Sequence, residues 1–247
     1  MYATFEIDPK KHKSELKSIK KLYKNSFPPE EREPWYLLKR GLKIAGTSKI
    51  PYNKTYTIML GIKNVEDPSK VLGFAIIIYI IPSNFCFGNY IAIEPEYRNK
   101  GLGSIFVNEI KKYFIELAKK FGAEKPIGFF YEIDKHDLSR YDIKDREQIF
   151  ARYRFYNRLN QKKIDVPYFQ PALRSWLQKV PMYLMFGPIE ERKYFSKEEI
   201  LRIYTNIYTV LYHKSEKSLK KLFRRLNVVN LPNRIDLISL DSITQLK

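Results

Sequence analysis

The chain is poor in the residues that staple or metallate a small protein. A single cysteine, Cys86, among 247 residues excludes an intrachain disulfide. Three histidines, His12, His136 and His213, lie far apart with no companion cysteine, so no metal site is expected. A nucleophilic-cysteine mechanism would need a histidine near Cys86, to which the sequence does not point. Long apolar runs are also missing. The longest, Val71 to Pro82, is about a dozen residues, against roughly 20 for a membrane span, and its β-branched isoleucines mark a buried strand. The first residues become charged at once and give no signal-peptide pattern, so a cytoplasmic protein without membrane attachment is expected.

Acidic residues are the other shortage: 27 Asp and Glu stand against 45 Lys and Arg, a formal charge of +18. Such a balance attracts polyanions, whether nucleic acid or the phosphates of a small molecule. Much of the excess is lysine spread along the chain, as in Lys10, Lys11, Lys13, Lys17, Lys20, Lys21 and Lys24, which fits solvated helix faces better than one binding patch. What the chain does have is a globular composition, 44% hydrophobic and 15% aromatic, enough for a full core in one elaborated domain.

Periodicity gives a strand at Tyr2 to Ile7, a helix carrying Leu16, Ile19 and Tyr23, and a second helix over Glu30 to Gly41. Strands at Tyr56 to Ile62, Val71 to Ile81 and Phe87 to Ile93 follow, then a helix from Gly101 closed by Gly122 and a strand at Ile127 to Ile133. Strand, helix and strand in that order read as a parallel crossover unit. A helix over Ile149 to Leu159 with Asn160 as left-handed cap precedes a strand at Val180 to Phe186. Beyond Pro188 the pattern turns basic and mainly helical, with a capping box at Ser196 and Glu199 and a cationic run in Ser218 to Leu226. The fold class expected is α/β, divided into a domain over 1–188 and an extension over 189–247.

The chemistry is sought at Arg98-Asn99-Lys100-Gly101-Leu102-Gly103. A glycine pair between an apolar strand and a helix lets the backbone approach an anion, and the unpaired N–H groups of the first helical turn point at it. A dinucleotide fold would place a third glycine where Phe106 stands, and a P-loop would need Gly-Lys-Ser/Thr, so neither matches. The run Ile91-Ala92-Ile93-Glu94-Pro95-Glu96-Tyr97 followed by R-x-x-G-x-G resembles the GCN5-related N-acetyltransferase (GNAT) family, and the resemblance extends over about Leu16 to Pro188.

That resemblance implies a mixed, mostly antiparallel twisted sheet with a central parallel strand pair, flanked by helices. It implies acetyl-CoA as co-substrate and direct transfer of its acetyl group to a primary amine on a small molecule, peptide or protein. Carried over by position, the backbone of Ile91 and Ile93 would bind the pantetheine arm. The amides of Asn99, Lys100, Gly101, Leu102, Gly103 and Ser104 would hold the pyrophosphate, with Arg98 orienting the loop or pairing with a phosphate. Tyr156 matches the tyrosine that protonates the departing thiolate. Glu132, at the end of a strand, and Glu94 are the candidate bases.

Three features depart from the family pattern. No Asn stands in Arg146 to Ile149, Asn160-Gln161 replaces a Gly-Phe pair, and Asp165 to Gln178 forms a longer insertion placed to cover a cleft. Ser26 to Arg32 lies where the family lines its acceptor site. A basic nucleic-acid- or ribosome-associated module, or a transferase acting on a tRNA-linked or other polyanionic acceptor, is the alternative function. The charge balance further leads us to expect an acceptor amine carried by a neutral or anionic molecule rather than by a polyamine.

Overall fold

The computed structural model describes residues 1–27, 29, 32–45, 54–135, 143–171 and 180–241. Glu30, Glu31, His136 and Trp176 from the sequence reading lie outside the described residues. The chain divides into two compact units: residues 1–126 lie in the first, and the described residues from 127 onward in the second.

The first unit orders its strands β1 (Tyr2–Glu6), β2 (Thr55–Asn64), β3 (Val71–Ile80) and β4 (Phe85–Ile93) as neighbours, each antiparallel to the next. Alternation sorts the side chains. Met59, Phe74, Ile76, Tyr90 and Ala92 share a core with Leu16, Ile19, Leu22 and Tyr23 of α1 (Lys13–Ser26) and with Leu38 and Leu42 of α2 (Trp35–Ala45). The next helix, α3 (Leu102–Lys120), buries Leu102, Phe106, Val107, Ile110, Phe114 and Leu117. Its Tyr113 hydroxyl donates to the Thr4 carbonyl at 3.3 Å and its Lys120 ammonium to the Tyr56 hydroxyl at 2.7 Å, so α3 is tied to β1 and β2.

The second unit is also antiparallel. Its strand β5 (Gly128–Asp134) pairs with β8 (Val180–Pro188), which in turn pairs with β6 (Lys162–Ile164) and β7 (Tyr168–Gln170). Strand β10 (Arg234–Ile238) joins β6, and β9 (Tyr194–Ser196) joins β10. Helices α4 (Ile143–Arg158), α5 (Lys197–Asn206) and α6 (Glu216–Arg225) complete it, with a single π-turn over Ile207–Leu211 after α5. Phe130, Phe186 and Phe195 form its aromatic centre, their ring centroids 4.9 to 5.9 Å apart. The mixed α/β class and the dominance of antiparallel pairing agree with the sequence reading.

Several boundaries move, for physical reasons. Helix α2 starts at Trp35, after Pro34, rather than at Glu30, and runs through Gly41 instead of stopping there. A Cβ at Gly41 would meet Thr57 at 3.5 Å, an ordinary contact, so the glycine lies inside the helix on its β2 side and is not a cap. Asn160 does take the left-handed conformation, with φ of 56°. The capping box is present: the Glu199 N–H donates to Ser196 Oγ at 3.2 Å, and the Ser196 N–H donates to the Glu199 carboxylate at 2.8 Å. Part of the Asp165 to Gln178 insertion is strand, since Tyr168 to Gln170 pairs with Val180 to Met182. The residues after 188 are woven into the second unit through β9 and β10, and no compact unit begins at residue 189.

The two bulges of the first sheet lead to the site. Register moves from Ile62↔Gly73 to Lys63↔Val71, leaving Leu72 extra, and from Ile76↔Tyr90 to Ile77↔Gly88, leaving Asn89 extra. The Leu72 carbonyl accepts from the Glu94 N–H at 2.8 Å, which ties down the end of β4. Gly73 sits beside this junction: a Cβ there would lie 2.5 Å from Ile93 Cδ1 and 2.8 Å from the Ala92 carbonyl oxygen. Gly73→Ala is therefore expected to destabilise the protein by about 1–3 kcal/mol through overpacking, measured as a lower urea midpoint with unchanged slope.

Candidate functional site

In the first unit β4 delivers the chain into a turn built almost wholly from backbone. A 3₁₀ turn over Pro95–Tyr97 follows Glu94, Arg98 is extended, and Asn99 and Gly101 then take the left-handed conformation with φ of 61° and 79°. Asparagine and glycine are the residues that enter this region most readily, which is why the sequence places them there. Gly101 caps α3 and its carbonyl accepts from the N–H groups of Ser104 and Ile105, both at 3.1 Å. The N–H groups of Leu102 and Gly103 have no intrahelical acceptor by the geometry of a helix start, and the dipole of a 19-residue helix lies behind them. No described atom beyond the neighbouring residues lies within 4 Å of where a Gly101 Cβ would be, so the space beside Gly101 is open.

Arg98 does what an orienting residue would do. Its Nε donates to the carbonyl of Ile93 at 3.0 Å, bridging the end of β4 to the turn. Lys70 pairs with Glu96 at 2.9 Å, and both Lys70 and Lys100 lie over the Tyr97 ring, at 5.2 and 5.8 Å. The turn is thus a set of backbone donors edged by cations, an arrangement that receives a phosphate. The Ile91 side chain is 38% exposed, and Ile93 is half-buried.

The second unit holds Glu132 and Tyr156. The Glu132 carboxylate accepts from the Tyr168 hydroxyl, from Gln170 Nε2 at 2.7 Å, and from the Tyr212 hydroxyl, which lies 2.9 and 2.7 Å from its two oxygens. Burial pushes its carboxyl above the ordinary range, while Tyr168, Tyr212 and Gln170 draw it back. Tyr212 directly follows the π-turn, so this carboxylate fastens β5 to β7 and to the C-terminal helices. Sequence reasoning found the acid and missed its partners, which are separated from it by 36 to 80 residues.

Tyr156, on α4, packs its ring 5.3 Å from that of Tyr131 on β5. Burial raises its phenol above the usual value, with Arg152 acting against it, so the hydroxyl keeps its proton at neutral pH. The Tyr131 hydroxyl is buried and has no hydrogen-bond partner among the described residues. Strand alternation, which puts Tyr131 on the face of Phe129 and Ile133, was the signal that could have singled it out. The C-terminal residues brace α4: the Leu240 N–H donates to Asn157 Oδ1 at 3.0 Å. Glu94 contributes its backbone N–H to the β4 junction, as above.

Residues 16–135 match the acetyltransferase (GNAT) family, and no curated protein matches the chain in sequence. Among solved structures, a Bacteroides thetaiotaomicron protein assigned to the GNAT acetyltransferases superposes with a TM-score of 0.58 at 18% identity, covering 86% of this chain and 99% of its own. Coverage of that extent reaches past residue 188. The ribosomal-protein-S18-alanine N-acetyltransferase of Escherichia coli follows with a TM-score of 0.45 and 14% identity, covering 78% and 96%. The family match thus covers residues 16–135, and the superposed structure shows likeness of fold. No described helix is long and apolar enough to cross a membrane.

Replacing Glu132 separates its charge from its hydrogen bonds. Glu132→Leu strands three donors and is expected to cost about 1–3 kcal/mol in urea unfolding, whereas Glu132→Gln keeps an acceptor and loses less. Because burial raises the carboxyl's pKa, ionising it in the folded state is unfavourable. Wild-type stability relative to Glu132→Gln should then fall as pH rises from the ordinary carboxyl range through the raised value, and level off above it.

Proposed function

We propose that the protein transfers an acetyl group from acetyl-CoA to a primary amine. The observation that carries this is the turn Arg98 to Ser104: left-handed Asn99 and Gly101, open space beside Gly101, and the start of a 19-residue helix behind them. Backbone donors at a helix start are the groups a pyrophosphate needs. On this reading the amides of Asn99, Lys100, Gly101, Leu102, Gly103 and Ser104 bind it, and Arg98 holds the turn against Ile93. The strand backbone at Ile91 and Ile93 runs alongside the pantetheine arm, though the Ile93 carbonyl is already an acceptor for Arg98. Acetyl-CoA, when bound, supplies the reactive thioester.

Tyr156 is the proposed proton donor to the departing thiolate, a role that suits a phenol kept protonated by burial. Of the two carboxylates expected as bases, Glu132 has its acceptor capacity filled by Tyr168, Gln170 and Tyr212, which suits it to positioning. Glu94 remains a candidate at the end of β4. The acceptor we expect is an amine on a small molecule, peptide or protein of neutral or anionic character, since the net charge of +18 disfavours polycations.

A second reading rests on α6, whose Lys217, Lys220, Lys221, Arg224 and Arg225 are all exposed on a helix that buries Leu219 and Leu222. Such a face suits a polyanion, either as a nucleic-acid or ribosome contact or as a contact to a tRNA-linked acceptor. Salt-dependent RNA binding without thiol release from acetyl-CoA would favour it.

Two variants test the leading reading. In Gly101→Val the side chain meets no neighbour but forces a β-branched residue into the left-handed region, so acetyl-CoA affinity by calorimetry should fall at least tenfold while the protein stays folded. Tyr156→Phe should lower turnover about 10- to 1000-fold with acetyl-CoA affinity unchanged. Full affinity in the first or full activity in the second would contradict the assignment of that residue.

A further inference from the structure

The segment between α1 and α2 places a carboxylate beside β4 that the sequence reading passed over. Glu33 is gripped at both of its peptide groups: its N–H donates to the Tyr90 hydroxyl at 3.0 Å, and its carbonyl accepts from the Tyr23 hydroxyl at 3.0 Å. Tyr23 and Tyr90 are 2% and 7% exposed, and their rings meet edge to face at 4.9 Å. Phe27 packs on Tyr90 at 5.0 Å and Trp35 on Tyr23 at 5.7 Å, which closes an aromatic collar around the segment. Arg32 turns away, its Nη1 donating to the Lys24 carbonyl at 3.1 Å.

This grip is stronger than a loop connection needs. Two buried phenols hydrogen-bond one half-buried segment's backbone, fixing the stretch of chain from which the Glu33 side chain branches. The anchor also falls at a telling place on β4. Tyr90 adjoins the extra residue Asn89 of the bulge, one residue before Ile91, where the pantetheine arm is proposed to begin its run along the strand. The Asn89 side-chain nitrogen is buried there without a hydrogen-bond partner among the described residues. The Glu33 carboxyl makes no ion pair among the described residues, and burial alone holds it above the ordinary carboxylate range. The titratable and charged groups around it are Tyr23 of α1, Tyr90 of β4 and the adjoining Arg32.

We propose that Glu33 is the catalytic base of the reaction: its carboxylate receives the acceptor's primary ammonium within the collar of Tyr23, Phe27, Trp35 and Tyr90 and takes its proton. The inference rests on the acetyl-transfer reading above. The steps balance as follows. The ammonium gives one proton to Glu33, which passes it to water. The freed amine nitrogen bonds to the thioester carbonyl carbon, the carbon–sulfur bond breaks, and the nitrogen loses a second proton. The sulfur leaves with the bonding pair and takes up one proton from water, to which the nitrogen's second proton also passes, so amide, thiol and one released proton are the products. A carboxylate beside aromatic rings suits an ammonium.

The test uses the full chain with 2-phenylethylamine as the probe acceptor, measuring thiol release from acetyl-CoA between pH 5 and 9 and acetyl-CoA affinity by calorimetry. In the wild type, kcat/KM for the amine should rise with pH through the raised Glu33 pKa. Glu33→Gln should lose this limb and fall at least 100-fold at pH 7, with acetyl-CoA affinity within twofold of wild type, while Glu33→Asp retains the limb. A Glu33→Gln enzyme with the limb intact and kcat/KM within threefold would overturn the proposal, as would loss of the limb in Glu94→Gln instead. Absence of amine-dependent thiol release from a wild type that binds acetyl-CoA would overturn it too. Failure of the wild type to bind acetyl-CoA at all would bring down the underlying reading, and the calorimetry identifies that case separately.

Discussion

The first unit depends on how β4 ends. Antiparallel pairing with β3 carries β4 as far as Ile93, and the hydrogen bond from the Glu94 N–H to the bulged Leu72 carbonyl stops it there. From that fixed point the chain has only eight residues, Glu94 to Gly101, in which to leave the sheet and enter α3. Arg98 closes the path by reaching back to Ile93, and Asn99 and Gly101 absorb the reversal in left-handed conformations. The turn proposed to receive a phosphate is a consequence of this geometry: the first amides of the helix it opens have no acceptor within the helix. The close approach at Gly73 belongs to the same junction, since any side chain there would push Ile93 away.

In the second unit the comparable element is the Glu132 carboxylate. A carboxylate surrounded by Phe129, Phe130, Tyr131 and Ile133 in sequence must be either neutralised or saturated with donors. The protein saturates it, drawing Tyr168 and Gln170 from β7 and Tyr212 from the end of the π-turn. This explains why the C-terminal residues do not form a free appendage. They supply a donor to β5, two strands to the sheet and a brace to α4.

What was legible in the sequence is what local rules determine. The turn was legible because its requirements are local: an apolar strand, residues tolerant of positive φ, and a helix start within a few positions. The capping box at Ser196 and the left-handed Asn160 were readable for the same reason. The start of α2 was misjudged because acidic residues suggested a first turn, whereas Pro34 sets the boundary. The partners of Glu132 and the clamp on Glu33 were invisible for a different reason. The partners of Glu132 lie 36 to 80 positions away, and Tyr90 and Tyr23 lie 57 and 10 residues from Glu33; no periodicity encodes such pairings. A chain with 19 tyrosines offers no compositional hint as to which ones are spent on it.

The central claim is that the backbone between Asn99 and Ser104 holds the pyrophosphate of acetyl-CoA, and it is tested most directly by amide chemical shifts in ¹⁵N-labelled protein titrated with coenzyme A. The account predicts that the amides of Asn99, Lys100, Gly101, Leu102, Gly103 and Ser104 move most, saturably, and that Ile91 and Ile93 follow. Saturable binding that leaves these six amides unmoved, or no binding at all, would contradict it.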